Sequence, residues 1–135
     1  MSLNHFLLGN KEDEKMKDYK LGEMEMRFAD LIWERAPIAS GELVKLCEQE
    51  LSWKKSTTYT MLRRLCQRGI FENRNGVVHT IQTKEEFQSG LSEQFVEESF
   101  GGSLPSFLAA FTARKKLSEQ EIEELRNLIE ENRKK

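Results

Sequence analysis

Two β-rich runs between Ile70 and Ile81 flank Asn75-Gly76. Asn-Gly is the strongest short hairpin signal, because a type I′ turn needs positive φ at both central residues. A two-residue loop then fixes the register, with Arg74 opposite Val77 and Glu72 opposite His79. That pairing makes His79 half of a cross-strand pair rather than a catalytic base. A lone hairpin is marginal in water, so it must pack against its neighbours in the chain. The segments before it read as three short amphipathic helices.

The first helix spans about 23–35, with Met24, Phe28, Leu31 and Ile32 on one stripe and Trp33 beside it. Glu23 and Glu25 suit its positive dipole end, Arg35 suits the negative end, and Pro37 stops it. Ser40 reads as the N-cap of a second helix, about 41–50, packing through Leu43, Val44 and Cys47. Leu51-Ser52-Trp53 leads to a third, about 55–68, which turns Thr58, Met61, Leu62 and Leu65 inward and ends at Gly69. The opposite face of this third helix carries Ser56, Thr57, Thr60, Arg63, Arg64 and Gln67. Such small, hydroxylated and cationic side chains let a helix approach a duplex closely and donate to phosphates and base edges.

The net charge of −2 conceals a pattern that favours this reading. Residues 1–83 carry 13 basic and 12 acidic groups, whereas residues 84–135 carry 8 and 11. Within 53–76, six basic residues (Lys54, Lys55, Arg63, Arg64, Arg68, Arg74) face one acid, Glu72. Screening restricts what a phosphate backbone senses to about 8–10 Å, so this local excess outweighs the mean.

Three helices followed by a hairpin, within about 60 residues, is the layout of a winged helix-turn-helix domain, whose third helix enters the major groove. The expected fold is mainly α with a small β-hairpin: a flexible arm over 1–18, a winged-helix domain over 19–83 and a three-helix dimerisation region over 84–135. The candidate DNA-binding residues are Lys54, Lys55, Ser56, Thr57, Tyr59, Thr60, Arg63 and Arg64, with Arg74 at the wing tip.

Thr83 and Glu86 form a capping box that opens a helix over about 84–98, with Phe87, Leu91 and Phe95 one above another. Phe100-Gly101-Gly102 breaks it. Ser103 caps a helix over about 104–113 that holds Phe107, Leu108 and Phe111, with Pro105 in its first turn. Ser118 with Glu121, and the Leu117–Ile122 staple, open the last helix, which carries Ile122, Leu125 and Ile129. About 50 residues in three amphipathic helices bury little alone. A second copy supplies the missing face, so Phe87, Leu91, Phe95, Phe107, Leu108, Phe111, Ile122, Leu125 and Ile129 are the expected homodimer interface. Two-fold symmetry then demands an inverted-repeat operator in double-stranded DNA.

Other classes find little support. Cys47 and Cys66 are isolated, so neither a disulfide framework nor a zinc ribbon is indicated, and no metal or cofactor is expected. No Ser/His/Asp set or glycine-rich phosphate loop points to an enzyme. No apolar run approaches the roughly 18 residues of a membrane helix. Phe6-Leu7-Leu8 is too short for a signal-peptide core, which makes the cytoplasm the default location. The competing reading is a winged-helix protein-interaction module whose basic face docks an acidic partner.

The run Trp53-Lys54-Lys55-Ser56-Thr57-Thr58-Tyr59-Thr60-Met61-Leu62-x-x-Leu65-x-x-x-Gly69 resembles the recognition-helix signature of the penicillinase-repressor family. Glu25-x-x-Phe28-x-x-Leu31-Ile32-Trp33 resembles its first helix. Phe100-Gly101-Gly102-Ser103-Leu104 and Leu117-Ser118-x-x-Glu121-Ile122-Glu123-Glu124-Leu125-Arg126 resemble its dimerisation region. The likeness covers about residues 20–131. It implies a dimeric repressor of antibiotic-resistance or metal-homeostasis genes, released when a membrane sensor protease cuts the dimerisation region. The family's cleaved bond is commonly Asn-Phe, and the matching pair here is Ala110-Phe111. The family's copper-responsive branch carries a Cys-x-Cys cluster that has no counterpart in this sequence. Where the family usually shows Ser-Pro-Lys this chain has Lys54-Lys55-Ser56, and Tyr59 stands where the family has Arg or Gln.

Overall fold

A computed structural model describes residues 19–135; the arm expected over 1–18 lies outside the described residues. The elements are α1 (Glu23–Arg35), β1 (Ile38–Ala39), α2 (Ser40–Leu51), α3 (Lys55–Gln67), β2 (Phe71–Arg74), β3 (Val77–Thr80), α4 (Lys84–Phe100), α5 (Leu104–Arg114) and α6 (Glu119–Arg133). The described chain forms two compact units, one ending at Gln94 and one beginning at Phe95.

The first unit is a winged helix. Phe28, Ala29 and Ile32 of α1, Leu43, Leu46 and Cys47 of α2, and Leu62 and Leu65 of α3 are buried together with Ile70, Phe71 and Val78 of the sheet side. Two stripes are displaced from their expected centres. Met24 is exposed and Ala29 takes its place; the small side chain permits close approach, while Met24 lies in the first turn, ahead of the buried face. In α2 it is Leu46 that is buried, and Val44 is only half-buried.

The hairpin has the expected register, pairing Arg74 with Val77 and Glu72 with His79. Asn75 (φ 52°) and Gly76 (φ 79°) both occupy the left-handed region that a type I′ turn requires. A third strand was not anticipated: Ile38 and Ala39 pair with Val78 and Val77, giving the antiparallel order β1-β3-β2.

The start of α4 belongs to this unit. The Thr83–Glu86 capping box forms as expected, with Thr83 Oγ1 accepting from the Glu86 N–H at 3.1 Å. Phe87 is 1% exposed and packs against Trp33 and Tyr19, with ring centroids 5.6 and 5.5 Å apart. Trp33 also meets Phe71 and donates its indole N–H to the Gln82 carbonyl at 2.9 Å. Tyr19 lies over Gly90, where any Cβ would overlap its ring, and its N–H donates to Gln94 Oε1 at 2.9 Å. Leu91 packs on the same core. These contacts carry the first unit beyond the expected boundary at residue 83. Phe87 is enclosed within its own chain and so leaves the expected dimer interface, while Leu91 is half-buried against the same core.

The second unit keeps its expected helix signals. Gly101 (φ 58°) and Gly102 (φ 81°) end α4, and the Gly102 N–H donates to the Val96 carbonyl at 3.0 Å. Ser103 Oγ accepts from the Ser106 N–H at 3.1 Å. The Ser118 and Glu121 side chains each accept from the other's backbone N–H at 3.0 Å. Phe95, Phe100, Phe107 and Phe111 form a chain of ring contacts at 5.5–6.1 Å. No residue from 95 to 135 is buried. Among the described residues, no helix is long and apolar enough to cross a membrane.

Candidate nucleic-acid interface

Helix α3 buries Thr58, Leu62 and Leu65, and this fixes what its other side presents. Ser56, Thr57, Thr60, Arg63, Arg64 and Gln67 are all exposed, as are Lys54 and Lys55. Lys54 occupies the N-cap position without a side-chain cap, and the first turn contains no acid. The positive dipole end of α3 therefore stays uncompensated by the protein, an environment that favours anions.

The cations differ in how committed they are. Among the described residues, no hydrogen bond or ion pair engages the side chains of Lys54, Lys55 or Arg63. Arg64 makes only a 3.8 Å approach to Met61 Sδ. Arg74 Nε lies 3.7 Å from Glu72 Oε2, and both side chains are well exposed, a pairing weak enough for a phosphate to displace. Arg68 has a different task, donating to the Lys20 carbonyl at 2.6 Å and fastening the segment before α1.

Tyr59 differs from the other candidate residues. It is half-buried at the core edge, and its hydroxyl donates to Ser40 Oγ at 3.2 Å. Ser40 in turn is not the N-cap of α2. Ala39 holds that position in extended backbone, and Ser40 is the first helical residue. The Ser40 N–H donates to the Gly76 carbonyl of the wing turn at 2.8 Å. Sequence reasoning missed this link because β1, which brings Ser40 opposite the turn, is only two residues long. Pro37-Ile38, which favours extended backbone, was the available signal.

A cleft of about 390 Å³ lies between α3 and β2, lined by Tyr59, Leu62, Arg63, Cys66, Phe71, Glu72 and Asn73. Burial pushes the Cys66 thiol up, with the Asn73 backbone opposing, which disfavours the nucleophilic thiolate. Burial likewise raises the Cys47 thiol, against a smaller pull from the Thr58 hydroxyl beside it. Among the described residues, no three His, Cys, Asp or Glu side chains are grouped to hold a metal ion.

Residues 21–131 match the family model described as penicillinase repressor. The chain belongs to the penicillinase-repressor family. The methicillin resistance regulatory protein MecI of Staphylococcus aureus strain Mu50 is 23% identical over 117 residues, covering 84% of this chain and 95% of that protein. The penicillinase repressor of Bacillus licheniformis is 29% identical over 122 residues, covering 86% and 95%. A crystal structure of a multiple antibiotic-resistance repressor (MarR) from Listeria monocytogenes aligns with a TM-score of 0.44 and 14% identity, covering 98% of this chain and 90% of that one. Penicillinase repressors are transcriptional repressors, not enzymes. The matched span includes α3, the wing and nearly all of the second unit.

Proposed function

We propose that this chain represses transcription by occupying an inverted-repeat operator as a homodimer. Helix α3 lies in the major groove of each half-site and the wing rests on the backbone. The observation that carries this reading is the face of Ser56, Thr57, Thr60 and Arg63 on α3, exposed and without internal partners for Arg63, together with the exposed Arg74 of the wing. Thr57 and Thr60, nearer the helix start, reach base edges, while Lys54, Lys55, Arg63, Arg64 and Arg74 neutralise phosphates. Tyr59, with its hydroxyl taken by Ser40, does not read bases.

The second unit joins the two copies. A groove of about 460 Å³ runs between α5 and α6, lined by Phe107, Leu108, Phe111, Leu117, Leu125 and Leu128 with Glu121 and Glu124. Phe95, Ile122 and Ile129 complete the apolar surface offered to a second copy. Family membership makes antibiotic-resistance or metal-homeostasis genes the candidate targets and the cytoplasm the place of action. If a membrane sensor protease releases this repressor as in the family, the matching bond is Ala110–Phe111, exposed but within α5, so that helix must open locally before cleavage.

The test begins with duplexes selected by the full chain from a randomised library. Binding of Thr60→Ala and Arg63→Ala is then measured on selected and mixed-sequence duplex at two salt concentrations. Thr60→Ala should lose about 1–3 kcal/mol on the selected duplex and little on the mixed one. Arg63→Ala should weaken both and lower the salt slope by about one charge per subunit. Unchanged affinity in both variants would remove α3 as the reading head and favour the protein-interaction module.

A further inference from the structure

Three elements converge on Ser40. As the first residue of α2, its N–H has no acceptor within the helix. The acceptor is instead the Gly76 carbonyl, 2.8 Å away in the wing turn. The β1–β3 ladder ends at the Ala39–Val77 pair, so this bond carries the pairing one step further, onto the turn itself. The Ser40 side chain faces α3, where its Oγ accepts from the Tyr59 hydroxyl at 3.2 Å. Tyr59 is one helical turn before Arg63, and Gly76 is two residues after Arg74.

We propose that Tyr59 and Ser40 are positioning residues that fix the wing turn against α3 and so set the spacing at which Arg63 and Arg74 meet phosphates of one backbone. The proposal rests on the duplex-binding reading above. A single backbone bond at a turn opens readily, because its net contribution is small and water competes for both groups. A hydroxyl held from the recognition helix restrains the residue that makes that bond. Two cations held at a fixed spacing bind a regular row of phosphates with less ordering cost than one fixed and one wandering. Tyr59 thereby influences affinity without touching a base.

The test uses the full chain in two measurements. Amide exchange at Ser40, followed without DNA, should be about fivefold faster in Tyr59→Phe, the factor expected for loosening one ordinary hydrogen bond. On mixed-sequence duplex, Arg74→Ala should lower the wild-type salt slope by about one charge per subunit. In the Tyr59→Phe background, Arg74→Ala should lower it by less than half as much, because the wing already contributes poorly. Ser40→Ala should behave like Tyr59→Phe, and Ser40→Thr, which keeps the acceptor oxygen, should restore the coupling. A merely structural loss would leave the Arg74 effect undiminished. Unaltered Ser40 exchange in Tyr59→Phe, or additive slopes, overturns the proposal. A wild-type chain that ignores duplex altogether overturns the functional reading instead, and the exchange result separates the two failures.

Discussion

Between Phe28 and Phe87 thirteen apolar side chains are buried, and between Phe95 and Lys135 none is. Both units have sound helix signals and both are rich in aromatic residues, so the contrast does not come from local sequence quality. It comes from whether each apolar face finds a partner. In the first unit α1, α2, α3, the sheet and the start of α4 enclose one core. In the second, caps and ring contacts shape the helices, yet Phe95 stays 49% exposed, Phe111 43% and Leu128 66%. Helices obtain most of their stability from tertiary packing rather than propensity. The first unit therefore encloses its apolar faces within one chain, whereas the second leaves its own open, as the proposed dimer requires.

The largest test of this contrast is truncation. A chain ending at Gln94 should remain folded and monomeric by light scattering, where the full chain should be a dimer. A chain ending at Thr83 should fail to fold. It loses Phe87, whose removal alone is worth about 3–5 kcal/mol, out of a total stability of about 5–15 kcal/mol. A dimeric chain ending at Gln94 would break the comparison.

Point substitutions sharpen it. Phe87→Ala should cost about 3–5 kcal/mol in urea unfolding at any protein concentration. Phe111→Ala should leave the first unit's unfolding unchanged and act through dimerisation, so its effect should grow as protein is diluted. Equal, concentration-independent losses at both positions would mean that the two faces are not different in kind.

The smallest expected effect concerns the cap of α6. The Ser118 N–H and hydroxyl, the backbone group foremost, hold the Glu121 carboxyl below the usual carboxylate range. A depressed folded value means that this contribution is present above the unfolded pKa and is lost as pH falls through the folded one. Because Glu121 is exposed, acidification should trim the helical circular dichroism of the second unit only slightly. Glu121→Gln, which keeps an acceptor for the Ser118 N–H but removes the titrating carboxyl, should flatten this acid response. An unchanged acid response in that variant would detach the cap from it.

What could be read from sequence divides along similar lines. The wing register and the Thr83, Ser103 and Ser118 caps were legible because turn and cap chemistry is settled within about four residues. Strand β1 was not, since two residues become a strand only by meeting Val77 and Val78, far along the chain. Ser40 looked like a cap because serine usually caps with its own side chain, and the remote Gly76 carbonyl took over its backbone instead. Phe87, Leu91 and Phe95 share one spacing, and nothing in that spacing says which half of α4 packs inward. The clue was Gly90, an otherwise costly residue in mid-helix that makes room for Tyr19. On α3 the exposed set was legible from helical period, whereas the contact of the Tyr59 hydroxyl with Ser40, on another helix, was not.

The most direct measurement is the number of chains carried by a selected duplex as salt is raised, followed by light scattering alongside affinity. Two chains per duplex are expected, with log affinity falling linearly against log salt by a slope of several charges, roughly 0.9 per phosphate neutralised. One chain per duplex, or affinity indifferent to salt, would contradict a paired reader that holds the backbone through α3 and the wing.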